Sequence, residues 1–220
     1  MLPFSHYYQA VIVPASILMP VIIALAKYRI IGRSLKLLLL YLLVSGGINL
    51  LAILNSHSNN LPLLHIYTVA EFILLILYFK SITSSPRALL VYRFLLFFFP
   101  LLCLINVIFF QSKFQYNSYV RPLEALVLIG CCFYYFYNSA ATDTVVPWGR
   151  SPTNWINSGI LLYFSTSLFL FIFSNVIHQV LSREAKTILL NLHDTLVLVM
   201  YLLFAIGIRQ CRKSPTISIS

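Results

Sequence analysis

Seven apolar stretches, each near the roughly twenty residues that a membrane-spanning helix needs, constrain this chain more than anything else in it. They fall at Tyr8 to Leu25, Leu35 to Leu54, Leu63 to Phe79, Leu89 to Phe110, Tyr119 to Tyr137, Trp155 to Ile177 and Ile188 to Ile208. The expected fold class is therefore all-α: a polytopic membrane protein built as a seven-helix bundle. A single helical domain is expected over 1–213, with a short cytoplasmic tail at 214–220. Only 9% of the residues are charged, against about 25% in a soluble domain, so most of the surface must face lipid. Pro14 and Pro20 inside the first stretch, with no basic segment before it, point to a retained helix rather than a cleaved signal peptide.

The net charge of +10 reads as topology. Lys27, Arg29, Arg33, Lys36, Lys80, Arg87, Arg93, Arg150, Arg209, Arg212 and Lys213 fall at one set of helix ends, and only Lys113, Arg121, Arg183 and Lys186 at the other. By the positive-inside rule the N-terminus is expected outside and the C-terminus in the cytoplasm of a bacterial inner membrane. Basic residues placed this way meet anionic lipid heads, so lipids are expected partners and nucleic acid is not. The cysteines form no extracellular disulfide framework, since Cys103, Cys131 and Cys132 lie within spans and Cys211 follows the last one. Ser45, Gly46 and Gly47 predict a close approach of another backbone to the second helix.

The third span carries the densest polar content. At 100° per residue, Tyr67, Glu71 and Thr68 fall within about 100° of arc, with His65 about 60° beyond Thr68. An ionisable group in hydrocarbon costs ~2.5 to 3.5 kcal/mol on insertion scales, so Glu71 must face protein or a wet cavity. Given the expected topology, Asn49, His65, Glu71, Glu124, Asn175, His193 and Asp194 all lie in the outer halves of their helices. Their convergence predicts a cavity opening outward, with Tyr67 and Thr68 beside Glu71; the alternative is that each is satisfied locally. Arg121 and Glu124, three apart, read as an interfacial pair on one helix. Asn157 and Asn175 lie eighteen residues apart, about five turns, and so form one polar seam for hydrogen bonds between helices.

Three chemistries follow from these residues. The first is a sensor or small-ligand-binding module in which His65, Glu71, Glu124, His193 and Asp194 line the site and Asn49 and Asn175 orient them. The second is a small-solute transporter. Gly32-Arg33-Ser34 and Gly149-Arg150-Ser151 precede the second and sixth helices, and a histidine, a threonine and an acid follow in the third and seventh. That pattern matches two parallel three-helix units joined by the fourth helix. The third is a zinc-dependent lipid hydrolase using His65, His193, Asp194, Glu71 and Glu124, although no pair has HExxH-type spacing. No lysine lies deep in the last helix to hold retinal, soluble-enzyme motifs are absent, and no cofactor is expected.

His65-x-Tyr67-Thr68-x-x-Glu71-Phe72, Trp155-x-Asn157-Ser158-Gly159 continuing to Tyr163-Phe164-Ser165, Ser174-Asn175 and the histidine near the start of the last helix together resemble a group of short seven-helix membrane proteins of Bacteroidetes-type bacteria. Similar bundles act as membrane input modules of sensor histidine kinases. The resemblance implies a sensory or accessory role for His65, Glu71, Asn175 and His193, with a small ligand or proton as input and a sensor kinase or other signalling protein as partner.

Overall fold

Proline placement shapes the first helix. In the computed structural model, which describes residues 7–55, 59–141 and 147–211, helix α1 (Tyr8–Ala26) is broken into segments. Its first turn, Tyr8–Ile12, is π-helical, with the Val13 N–H bonded to the Tyr8 carbonyl five residues back. The helix then runs through Pro14 and is interrupted at Ile17, three residues before Pro20. Proline supplies no N–H and its ring crowds the preceding turn, so regular α-helical bonding gives way around both residues.

Six further helices follow: α2 (Arg33–Leu54), α3 (Leu61–Ile82), α4 (Pro86–Phe110), α5 (Val120–Ala141), α6 (Pro152–Val180) and α7 (Arg183–Gln210). Each of the seven is long and apolar enough to cross a membrane, and no strand occurs among the described residues. Phe97, Phe109, Phe110 and Phe94 stand open on the outside of the bundle, as lipid-facing side chains do. Helix α6 has 29 residues and would span about 43 Å at 1.5 Å per residue, longer than the ~30 Å hydrocarbon layer. Polar first turns therefore extend α6 and α7 beyond the ends expected from apolarity. At α7 the Ser182 Oγ accepts a hydrogen bond from the Ala185 N–H at 3.3 Å, capping the helix. Pro122 falls in the first turn of α5, where its missing N–H costs nothing. The expected tail at 214–220, with Arg212 and Lys213, lies outside the described residues.

Packing arranges six of the helices in a ring, α1–α2–α3–α5–α6–α7, closed where α7 meets α1. Both ends of that closure are bonded. At one end Lys27 Nζ donates to the carbonyls of Arg209 and Cys211 at 2.6 and 2.7 Å. At the other, Gln9 Nε2 donates to Asn191 Oδ1 at 2.8 Å and the Tyr8 and Thr195 hydroxyls lie 2.7 Å apart. Helix α4 stays outside the ring, stacking Phe99 on Phe72 of α3 at 3.8 Å. Burial follows this order: 39% and 44% of the apolar windows of α3 and α5 are buried, against 17% for α4. The two central helices are thus the ones whose polar residues must find protein partners.

Close backbone approach occurs elsewhere than the glycine pair of α2 predicts. A Cβ on Gly46 would touch only Ile17, at an ordinary 3.7 Å, and one on Gly47 would meet nothing. Between α6 and α7, by contrast, a Cβ on Gly207 would lie 2.8 Å from the Pro152 carbonyl and one on Gly159 3.1 Å from Phe204. The tightest contact of the ring is therefore the α6–α7 seam. It fixes the helices that carry Tyr163, His193 and Asp194.

Candidate functional site

Glu71 sits three turns into α3, only 1% exposed, and its carboxylate is shared among three helices. Oε1 accepts hydrogen bonds from the Tyr41 hydroxyl of α2 and from the Tyr67 hydroxyl one turn back on α3, both at 2.9 Å. Oε2 pairs with the Arg121 guanidinium of α5. The same Arg121 Nη1 also reaches Glu124 Oε2 at 2.7 Å, and Nη2 points to the Tyr163 hydroxyl of α6 at 3.5 Å. The guanidinium lies over the rings of Phe171, at 4.8 Å, and Tyr67, at 5.4 Å. Ser45 extends the network, 3.1 Å from the Tyr67 hydroxyl and 3.4 Å from that of Tyr201 on α7. One polar cluster thereby ties α2, α3, α5, α6 and α7 together in mid-bundle.

Arg121 was not among the residues expected to form the site, and it proves to be the hub. Three-residue spacing to Glu124 suggested an interfacial pair on one helix. Instead Arg121 is 6% exposed and Glu124 wholly buried, and the arginine serves Glu71 as well. Two carboxylates thus face one guanidinium. Glu71 has a partner for each oxygen, whereas Glu124 Oε1 has none among the described residues. Bringing these charges out of water costs several kcal/mol per ion, so the cluster persists only through its mutual pairing and the phenol donors around it. The tyrosines' partners were equally hidden. Nothing in the sequence ties the hydroxyls of Tyr41, Tyr163 and Tyr201 to Glu71, Arg121 or Ser45.

Above this cluster lies a cavity of about 390 Å³ that opens at the end opposite the basic residues. Arg121, Tyr41, Tyr67, Tyr163 and Tyr201 surround its depth, and Asn49, His193 and Asp194 line its walls. Gln9, Ala52 and Asn60 line it near the ends of α1, α2 and α3. His193 accepts or donates at Nδ1 with the Ser167 hydroxyl, 3.0 Å away, and its ring packs 5.5 Å from that of Tyr163. Asp194 forms no hydrogen bond or ion pair with the described residues. A second, more apolar cavity of about 250 Å³ shares Arg121 and His193 with the first and is walled by Phe171, Leu189 and Leu190.

The nine residues singled out in the sequence divide into three groups. Asn49, Tyr67, His193 and Asp194 line the larger cavity. Glu71 and Glu124 sit behind Arg121 and reach the cavity through Arg121, Tyr41 and Tyr67. His65, Thr68 and Asn175 do something else: they hold the segment between α4 and α5. His65 Nε2 lies 3.1 Å from the Gln115 carbonyl, and Thr68 Oγ1 accepts from Asn117 Nδ2 at 3.3 Å. Asn175 Nδ2 donates to the Tyr116 carbonyl and the Ser118 hydroxyl at 3.0 and 2.8 Å, while Oδ1 accepts the Tyr116 N–H at 3.2 Å. Asn157 and Asn175 both turn to protein, but the hydrogen bonds between helices predicted for them do not form. Asn175 is taken by this segment, and the Asn157 amide, buried near the Tyr78 hydroxyl, has no hydrogen-bond partner among the described residues.

Among the described residues no three His, Cys, Asp or Glu side chains converge as a metal site. The two histidines of the zinc reading have separate partners, Gln115 and Ser167. Compared with known proteins, the chain matches no family model, no curated protein and no solved structure.

Proposed function

We propose that this chain is a multi-pass inner-membrane sensor that receives a small ligand in a cavity open to the outside and passes helix shifts to a signalling partner at its cytoplasmic, basic end. The observation that carries this reading is the cavity whose depth is formed by Arg121, Tyr67, Tyr163 and Tyr201, with Glu71 behind them. A molecule that moved Arg121 would alter its bonds to α3 and α6 at once, because those bonds converge on one guanidinium. The basic helix ends support the orientation through the positive-inside rule. A sensor histidine kinase is the proposed partner, on the resemblance of the helix motifs.

A transporter is the second reading, favoured by one feature of the ring. With α4 outside it, the order α1–α2–α3–α5–α6–α7 sets two three-helix units side by side, as paired parallel repeats require. The zinc hydrolase is not carried forward, since its ligands do not converge.

Cysteine labelling of native membranes separates the two. In intact cells, Ala52→Cys, in the cavity lining near the end of α2, is expected to react with a membrane-impermeant maleimide and Ser84→Cys at the basic end is not. Reversed labelling would refute the orientation. Asn157→Cys, buried below the cluster, stays silent from both sides in a sensor. Its labelling from the cytoplasmic side would favour alternating access and a transporter.

A further inference from the structure

The larger cavity carries an electrostatic signature that names a ligand class. Its wall holds one carboxylate, Asp194, that no described side chain neutralises. Its one arginine is engaged already, since Nη1 of Arg121 bonds both Glu71 and Glu124. No lysine lines it. The cavity wall thus carries, in Asp194, a carboxylate with no cationic partner among the described residues.

Chemistry at the neighbouring side chains points the same way. Tyr41 and Tyr67 both spend their hydroxyl protons on Glu71, which leaves their oxygens as acceptors only. The Tyr67 ring already holds one cation, the Arg121 guanidinium at 5.4 Å, and Tyr163 and Tyr201 add two more aromatic walls. An incoming anion would be a third acid on one guanidinium, with the acceptor oxygens of Tyr41 and Tyr67 beside it. An inorganic cation would find one free carboxylate where calcium takes six to eight oxygen ligands. A volume of about 390 Å³ fits a small molecule.

We infer that the cavity binds a small organic cation, an amine or quaternary ammonium compound, with Asp194 as its counter-ion and Tyr67, Tyr163 and Tyr201 as its aromatic walls. This rests on the outward-open cavity proposed above. Asp194 is the discriminating residue because it makes no bond that holds the bundle together.

The test measures the charge preference of the cavity without knowing the ligand. Ala52→Cys is placed in a background carrying Cys211→Ser, the remaining cysteines being buried. Its reaction rates with two methanethiosulfonates of similar size, one bearing trimethylammonium and one sulfonate, are divided by those of β-mercaptoethanol. The normalised cation-to-anion ratio is expected at about tenfold or more, the lower range for a focusing cleft. It should collapse when Asp194→Asn is added, and tetraethylammonium should slow the cationic reagent where an alkylsulfonate does not. Val197→Cys, on the same wall, repeats the measurement should Ala52→Cys misfold. A ratio at or below one, or one indifferent to Asp194→Asn, overturns the cation assignment and leaves an open cavity of another specificity. Failure of both reagents at both positions, with full reaction after denaturation, shows a closed cavity and overturns the sensor reading along with it.

Discussion

Two polar clusters share helix α3, and they are built to different ends. His65 and Thr68 face the segment between α4 and α5, where their bonds run to the Gln115 carbonyl and the Asn117 amide, joined there by Asn175 of α6. Tyr67 and Glu71, on the adjoining arc of the same helix, face the ring interior and bond to side chains of other spans. The first cluster holds no carboxylate and clasps one connecting segment. The second gathers two carboxylates on one guanidinium beneath a cavity. Intramembrane polar residues thus differ in what they end on: a clasp closes on itself, whereas the Arg121 cluster faces open space.

The largest expected effect comes from Arg121. Arg121→Met strands Glu71 and Glu124 as buried carboxylates, and the loss should be about 3–5 kcal/mol of stability, read as a lowered unfolding midpoint in detergent. Glu71→Gln keeps the shape but gives up the ion pair and weakens both phenol bonds. It should cost about 2–3 kcal/mol. Asn175→Ala acts on the other cluster, removing its bonds to Tyr116 and Ser118 at about 1 kcal/mol. Its signature is faster amide exchange confined to residues 111–119, with labelling of Ala52→Cys unchanged; exchange spreading to the cavity walls would erase the distinction between the clusters. Glu124→Gln should matter least, within about 1 kcal/mol, because it removes the surplus carboxylate and leaves Arg121 paired with Glu71. A larger loss than for Glu71→Gln would reverse their assigned roles.

Much of the architecture was legible in the sequence, since twenty apolar residues in lipid can hardly be anything but a helix. The seven spans differ from expectation mainly at polar first turns such as Arg183 to Thr187, which hydropathy misses. The site was legible only in part. Glu71 betrayed itself by its cost in hydrocarbon, and His193 and Asp194 by their place near a helix start. Arg121 did not, because its partner Glu71 lies fifty residues away and its near neighbour Glu124 supplied a local explanation. The partners of Tyr41, Tyr163 and Tyr201 stayed hidden for a related reason. A tyrosine in an apolar helix looks alike whether its hydroxyl meets a carboxylate or a headgroup. Glycine pairs misled too: Gly46 and Gly47 are adjacent in sequence, but Gly159 and Gly207 are the ones that lie against another helix's backbone.

The claim on which the rest depends is that Glu71 and Arg121 form one electrostatic unit across α3 and α5 at the depth of the cavity. A double-mutant cycle on unfolding free energy in detergent, with Glu71→Gln, Arg121→Met and both together, measures that coupling directly. The predicted interaction energy is about 2–3 kcal/mol, the double variant losing far less than the sum of the single losses. Additive losses, with no coupling beyond about 0.5 kcal/mol, would mean that the two side chains do not sense each other, and the site described here would lose its centre.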